Sequence, residues 1–254
     1  METGSALLKK ERKELIFKEI NVHTRASFAD LSNLLNVSED TIRRDLNELA
    51  EEGLLTKIRG GAMSLANHYD SQSAPVYARE AKQIIAQKAL SLIKNGMLIL
   101  TGGGTTIREL VKNLPDSMQL TFVTLNPLTA VELLDKPNIE IILIGGPISK
   151  YSQLTIGGEV QQRLSEINAD LCLLGNNALD AEGGFTDSDW ETVQVKRTMM
   201  KSAAKVAILT ISEKLNATMR FKIASLGEID YLVTELESND VVLTAYSAQG
   251  VHIL

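Results

Sequence analysis

The sequence predicts an α/β chain in two unequal parts: a small helical unit closed by a β-ribbon, then a doubly wound, mostly parallel α/β domain. Three observations predict it. Apolar residues at helical spacing fill the first fifty positions and end in the ribbon-like run LLTKIRGGA. A polar stretch without periodicity, SLANHYDSQSA, follows from Ser64 and is closed by Pro75. Beyond it, short apolar runs alternate with amphipathic ones, the pattern of strands buried on both faces and joined by helices. The expected divisions are residues 1–63, a linker at 64–75, and residues 76–254.

In RKELIFKEI, Leu15, Ile16 and Ile20 give a first helix its apolar face beside Glu19. In SFADLSNLL, Ser27 is placed to cap a second helix with Phe28, Leu31, Leu34 and Leu35 at helical spacing. After a short break, Ser38 caps a third, EDTIRRDLNELAEEG, which stops at Gly53. LLTKIRGGA then reads as a β-ribbon turning at Gly60-Gly61. On the third helix Ile42, Leu46 and Leu49 fall on one face and pack inward. Asp40, Arg43, Arg44 and Asn47 fall on the other, with Thr41 at its edge.

Two arginines alone would read as a solvated face paired locally with Glu39 and Asp40. Two helices, a break, a capped third helix and a Gly-Gly ribbon together form a winged helix-turn-helix. In that setting Arg43 and Arg44 suit a helix entering a DNA major groove, where arginine forks onto guanine edges or phosphates. Lys57 and Arg59, two apart, are expected on one face of the ribbon, ready for the DNA backbone or minor groove. The DNA-contact set is Ser27, Ser38, Thr41, Arg43, Arg44, Asn47, Lys57 and Arg59.

The net charge of −6 argues against nucleic acid only as an average. Residues 1–63 carry 10 Lys and Arg against 11 Asp and Glu, so most of the negative charge lies in the larger part. One cysteine, Cys172, excludes an internal disulfide, and in the apolar run DLCLLG it is a core thiol. His23, His68 and His252 stand in unrelated segments, so neither zinc chemistry nor a catalytic triad is expected. No cofactor and no membrane partner are expected, and the start METGSALLKKERKE has no apolar signal core. The compartment expected is the cytoplasm.

In the larger part the strand candidates are GMLILT, QLTFVT, IEIILIGG, ADLCLLG, KVAILT, DYLVTE and GVHIL. Between them lie helical stretches such as REAKQIIAQKALSLIK, TTIRELVKNL and PLTAVELLD. The run LILTGGGTTIREL leads an apolar strand through Gly102, Gly103 and Gly104 into a helix opened by Thr105 and Thr106. Backbone N–H groups and the helix dipole favour an anion there. The same glycines would serve a tight turn that binds nothing, and the run alone leaves the two readings level. Asn126, in TLNPL, and Gly145 and Gly146, in IGGPIS, fall at the same strand-end edge, where open α/β sheets bind ligands.

VSEDTIRRDLNELAEEGLLTKIRGGA closely resembles the DNA-binding segment of DeoR-type bacterial transcription regulators, whose signature has S-x-x-T-I-R-R-D-L and a basic residue before Gly-Gly-Ala. Ser38, Thr41, Ile42, Arg43, Arg44, Asp45, Leu46, Gly53, Gly60, Gly61 and Ala62 match it, and Arg59 stands where the family often has His. The resemblance covers nearly the whole chain. It implies a C-terminal fold resembling ribose-5-phosphate isomerase that senses a phosphorylated sugar. LGNNALDAEGGFTDSDWETVQVKRTMM is similar to the family's G-x-x-G/A-[IL]-D…G…E-x-x-x-x-K-R-x-M segment, with Asp180, Glu191 and Lys196 at the matching places. The resemblance implies that Lys196 neutralises a phosphate and Asp180 accepts from sugar hydroxyls. The alternative is that Lys196 and Arg197 are surface charges on a helix whose apolar side includes Trp190, Val193 and Met200. Two family carboxylates are replaced here, by Gly102 and by Ile211, which leaves Lys214 of the second motif.

Two function classes follow. One is a DNA-binding repressor of sugar-metabolism genes, a dimer or tetramer on double-stranded operator DNA, released or recruited by a phosphorylated sugar. The other is a phosphosugar isomerase carrying a DNA-binding module. The isomerase needs a positioned carboxylate for proton transfer, and the two replaced carboxylates favour the repressor.

Overall fold

A computed structural model describes residues 8–65 and 77–254. The chain divides into two compact units, Met1–Tyr77 and Ala78–Leu254. Most of the expected linker, residues 66–75, lies outside the described residues.

The first unit runs α1 (Lys9–His23), β1 (Arg25–Ser27), α2 (Phe28–Leu35), α3 (Glu39–Glu51), β2 (Leu55–Ile58) and β3 (Gly61–Ser64). Its core is Ile16, Ile20, Leu31, Leu35, Ile42, Leu46, Leu49, Leu55 and Ala62. Ser27 and Ser38 cap α2 and α3 through the amides of Asp30 and Thr41. Asn36 ends α2 in the left-handed region, which starts the break between the helices.

The ribbon differs from expectation in three ways. It is a three-stranded antiparallel sheet of order β1-β3-β2, because Arg25–Ser27 adds an edge strand too short to leave a period-two signal. Ile58 pairs with Gly61, so the turn is Arg59-Gly60 and Gly61 already lies in β3. Arg59 is therefore a turn residue, and strand alternation does not put it on Lys57's face. Gly61 is a close-approach glycine: a Cβ there would lie 2.1 Å from the Ala26 carbonyl oxygen. Leu15 and Leu34, expected inside, are 40% and 58% exposed, since the neighbouring turns Ile16 and Leu35 already fill the core.

The second unit alternates strands and helices: α4 (Arg79–Leu90), β4 (Leu98–Thr101), α5 (Thr105–Asn113), β5 (Leu120–Thr124), α6 (Pro127–Leu133), β6 (Ile139–Leu143), α7 (Gly158–Ser165) and β7 (Ala169–Gly175). After β8 (Ala178–Asp180) and β9 (Gly184–Asp187) come α8 (Trp190–Lys201), β10 (Ala203–Leu209), β11 (Phe221–Ala224), β12 (Tyr231–Val233), α9 (Thr244–Ser247) and β13 (His252–Ile253). A short 3-10 turn, Ser212–Lys214, follows β10. Seven strands form one parallel sheet of order β13-β12-β10-β7-β4-β5-β6. β8, β9 and β11 form a separate small antiparallel sheet, which the sequence reading did not resolve. Its strands are three or four residues long inside a polar segment.

The strand order reverses between β4 and β7. The chain grows outward from β4 through β5 and β6, then returns to the other side of β4. At such a switch point the loops leaving the two central strands part in opposite directions and open a crevice at the carboxyl edge. The GGGTT loop leaves β4 there, and Asn176-Asn177 leaves β7. Among the described residues no helix is long and apolar enough to cross a membrane.

Candidate functional site

Charge in the first unit is segregated. The acidic back of α3 is held by the basic face of α1. Arg12 forks onto Asp45, Nε to Oδ2 at 2.6 Å and Nη2 to Oδ1 at 3.1 Å, and the Asp45 side chain is 2% exposed. Lys9 and Lys13 meet Glu48, and Lys13 also reaches Glu52. The opposite face of α3 then carries Arg43 and Arg44, both exposed and, among the described residues, without an ion-pair partner. The Arg43 guanidinium lies 4.4 Å from the Phe28 ring centroid, which sets its direction without neutralising it. Lys57 Nζ donates to Asn47 Oδ1 at 2.8 Å, joining ribbon to helix, and Arg59 is exposed at the turn. Ser38 and Thr41 are hydrogen-bonded to each other at the α3 N-terminus, 3.0 Å apart, and Ser27 Oγ donates to Asp30. The expected DNA-contact residues therefore gather at the start of α3, the start of α2 and the ribbon.

At the sheet's carboxyl edge, two of the three glycines have local reasons. A Cβ on Gly103 would stand 2.2 Å from Asn126 Nδ2. That side chain is itself fixed, since Asn126 Oδ1 caps α6 at the Thr129 amide and its Nδ2 donates to the Gln153 carbonyl. Gly104 has φ +107° and starts α5 with no side-chain cap, so the first amides of that helix are not taken up by a capping side chain. Gly102, where the resemblance implies an Asp, has ordinary room: an added Cβ would meet Leu174 and Leu154 at 3.6 and 3.7 Å. Thr105 and Thr106 are partly exposed at the helix start.

Across from this loop is a cluster of buried charge that the sequence reading saw only in part. Lys196 is 7% exposed, against the alternative that made it a surface charge, while Trp190, placed by that alternative on the apolar side of the helix, is 52% exposed. Lys196 Nζ donates to Asp187 Oδ2 at 2.9 Å and lies over the Phe185 ring. Asp187 also accepts from Tyr151, Asn177 and the Ser188 amide. Burial would raise the Asp187 carboxyl, but Lys196 and these donors outweigh it and hold it below its ordinary value. Lys214 Nζ donates to the Asn176 carbonyl at 2.7 Å. Lys214 is half-buried, and burial with help from Lys82 and Lys196 pushes its amine down to about 7. Lys82, 5% exposed, is pushed down to about 8 by burial, against Glu109 and Glu213.

Not every expected residue joins this cluster. Asp180 Oδ1 accepts the amides of Glu182 and Gly183 and so shapes the β8–β9 turn. Glu191 is exposed in the first turn of α8. Gly145 and Gly146 are exposed beyond β6, and a Cβ on Gly146 would meet Val160 of α7. Lys82, Asn176, Asn177, Asp187 and Tyr151 were missed. Lys82 carried a usable signal: it stands in register with Ile85, Ala86 and Ala89, on the buried stripe of α4, where a lysine needs a reason.

No group of His, Cys, Asp and Glu among the described residues gathers to hold a metal ion. Cys172 is fully buried and its thiol is pushed upward by burial, away from reactivity.

Comparison with known proteins fits both units. Residues 12–68 match the family described as DeoR-like helix-turn-helix domain, and residues 78–236 match DeoR C terminal sensor domain. The HTH-type transcriptional regulator GlpR of Haloferax volcanii is 32% identical over 232 residues, 90% of this chain and 91% of that one. The HTH-type transcriptional repressor GlcR of Bacillus subtilis is 32% identical over 251 residues, 98% and 96% of the two chains. Among solved structures, the tetrameric eIF2B-beta2-delta2 complex from C. thermophilum shares the fold at TM-score 0.50 and 12% identity, over 95% of this chain and 88% of that one. Ribose 5-phosphate isomerase A from Methanocaldococcus jannaschii overlaps 54% of each chain at TM-score 0.39 and 17% identity. With a helix-turn-helix match over residues 12–68, a sensor-domain match over residues 78–236, and whole-chain relatives that are regulators, the chain belongs to the DeoR family of DNA-binding transcriptional regulators and is not an enzyme.

Proposed function

We propose that this regulator is a repressor of sugar-metabolism genes whose operator affinity is set by a phosphorylated sugar bound at the carboxyl edge of the parallel sheet, between β4 and β7. The observation that carries the reading is that, at the switch point, a helix N-terminus without a side-chain cap follows Gly103, whose carbonyl lies beside Gly175, while Lys214 binds the next residue's carbonyl with Lys82 and Lys196 acting on it. A helix terminus and buried cations both favour an anion, and a phosphoryl group supplies two negative charges with several acceptor oxygens. Gly102 to Thr106 form the cradle, Asn126 braces it, and Lys196 and Lys214 face it. Gly145, Gly146, Asp180 and Glu191 belong to the wider rim.

Residues 1–63 are the reading head. Arg43 and Arg44 read base edges or phosphates from α3, and Lys57 and Arg59 position the ribbon on the backbone, with Ser27, Ser38, Thr41 and Asn47 completing the contacts. Two half-sites call for two heads, so the working form is a dimer or tetramer in the cytoplasm. Effector occupancy in residues 76–254 reaches the head through the linker at 64–75. It changes operator affinity only if the ligand binds the two arrangements unequally.

The test is a thermal-shift screen of phosphorylated sugars and their uncharged parents against the intact protein, followed by operator titration with each hit. A ligand specific to the native state, at a hundred times its Kd, adds about 2.7 kcal/mol of stability. Phosphorylated compounds alone should raise the melting temperature, and the hits should shift operator affinity. A screen in which uncharged parents work as well as their phosphates would sink the anion site.

A further inference from the structure

We propose that the effector's anionic group is received by the Lys214 ammonium and the Asn176 side-chain amide, and that it enters together with a proton taken from solvent. This rests on the anionic-effector reading above and names the residues and the proton balance of that site.

Lys196 is a poor primary receiver because it is already committed. Its amine pairs with Asp187 at 2.9 Å, and Asp187 is fully buried and held by three further donors. Drawing Lys196 away would leave a buried carboxylate without its counter-ion. Lys214 is differently placed. An ammonium has three donors, and its hydrogen bond is to the Asn176 carbonyl, with no carboxylate in contact among the described residues.

The residue that offers that carbonyl supplies the second observation. Asn176 is 5% exposed, and both polar atoms of its side chain are buried with no hydrogen-bond partner in the protein. A buried polar atom left without a partner is destabilising, so an amide in this state calls for an outside partner. Its Nδ2 suits an anionic oxygen, and its Oδ1 suits a hydroxyl on the same ligand.

The groups facing Lys214 decide the proton balance. Lys82 of α4 and Lys196 of α8 oppose its charge, and Asp187 of β9 favours it. Glu213, on the same 3-10 turn, and Glu109 of α5 act on Lys82. With burial, the balance leaves Lys214 pushed down to about 7, so at pH 8 most chains hold it as a neutral amine. A dianion arriving beside it reverses that balance and favours the charged form. One proton moves from water to Nζ, and the complex then holds two negative charges against one newly made positive charge.

The experiment uses the full chain in weak buffer at pH 8, titrated with sodium sulfate against sodium chloride of equal ionic strength. Sulfate is a dianion that does not itself titrate near this pH, so any proton taken up belongs to the protein. The expected result is saturable uptake approaching about one proton per chain with sulfate and none with chloride. Lys214→Arg should keep sulfate-induced thermal stabilisation but take up no proton, because guanidinium is charged throughout. Lys214→Met should lose both, with sulfate binding weakened at least about tenfold. Sulfate binding without proton uptake, or unchanged uptake in Lys214→Met, would overturn the proposal, as would the absence of any saturable sulfate response. Thr105→Asp separates this from the broader reading, because a carboxylate at the cradle blocks an anion from the other side. If wild type takes up no proton yet loses its sugar-phosphate response on Thr105→Asp, the sensor stands and only the Lys214 receiver falls.

Discussion

The two units solve the problem of holding positive charge in opposite ways. On α3 the arginines stand in water, their acidic neighbours are tied to α1, and exposure costs them nothing. At the sheet edge Lys196 is tied to a carboxylate, while burial disfavours the charge of Lys214 and, against Glu109 and Glu213, that of Lys82. Exposed charge suits a partner that is always polyanionic. Buried, partly neutral amines suit one whose arrival must be felt, because the free site is uncomfortable without it.

The largest effect that would test this contrast is on the tie rather than on the reading face. Asp45→Ala removes the buried partner of Arg12 and should cost about 3–5 kcal/mol in urea unfolding of the first unit, while Glu48→Ala on the exposed part of the same network should cost far less. Equal costs would mean that burial does not distinguish the two pairs. Next, Arg43→Ala and Arg44→Ala should each lose about 1–3 kcal/mol of operator affinity by fluorescence anisotropy, with the fold intact by circular dichroism. A base reader relaxes the preference at one operator position, and a phosphate contact flattens the salt dependence instead.

Lys214→Met sharpens the other side of the comparison. Unfolded, a lysine keeps its ordinary value near 10.5, whereas folded Lys214 titrates near 7. The unfolded chain therefore binds more protons between those values, so the Lys214 penalty is full below pH 7 and shrinks as pH rises. Melting curves should show wild type gaining about 2 kcal/mol relative to Lys214→Met between pH 7 and 9, and the variant more stable at pH 7. The smallest expected effect is at the ribbon. Lys57→Ala and Arg59→Ala should weaken all DNA nearly alike, each reducing the salt slope by about 1, and a changed base preference in either would make the ribbon a groove reader.

The helix-turn-helix was legible because it is local. Ser38, the Ile42–Leu46–Leu49 stripe and Arg43-Arg44 declare a capped amphipathic helix within one stretch, and long-range packing only had to agree. Even there, Leu15 and Leu34 misled, since apolar residues next to a filled core position are turned out. The parallel sheet was legible from its alternation, and its strand order was not, because no local signal says on which side of β4 the chain returns. The proposed effector site divides the same way. GGGTT is contiguous and could be named as a candidate, and Lys214 came only through the family resemblance, whereas Lys82, Asn176 and Asp187 come from three further segments and are related to them only through the fold. Asn176 had no signal at all, since an unpartnered amide is a fact of burial and not of spacing.

The wing has one more consequence. Its returning strand, β3, is the middle strand of three, and the Gly60 carbonyl at the turn accepts the Phe28 amide at 2.9 Å, the first amide of α2. The turn is thus fastened to the scaffold on the side facing the helices and braced at Gly61 against Ala26. Docking such a ribbon requires little ordering of backbone, so association with DNA carries the heat-capacity change of two preformed surfaces meeting and not the larger one of a segment folding as it binds.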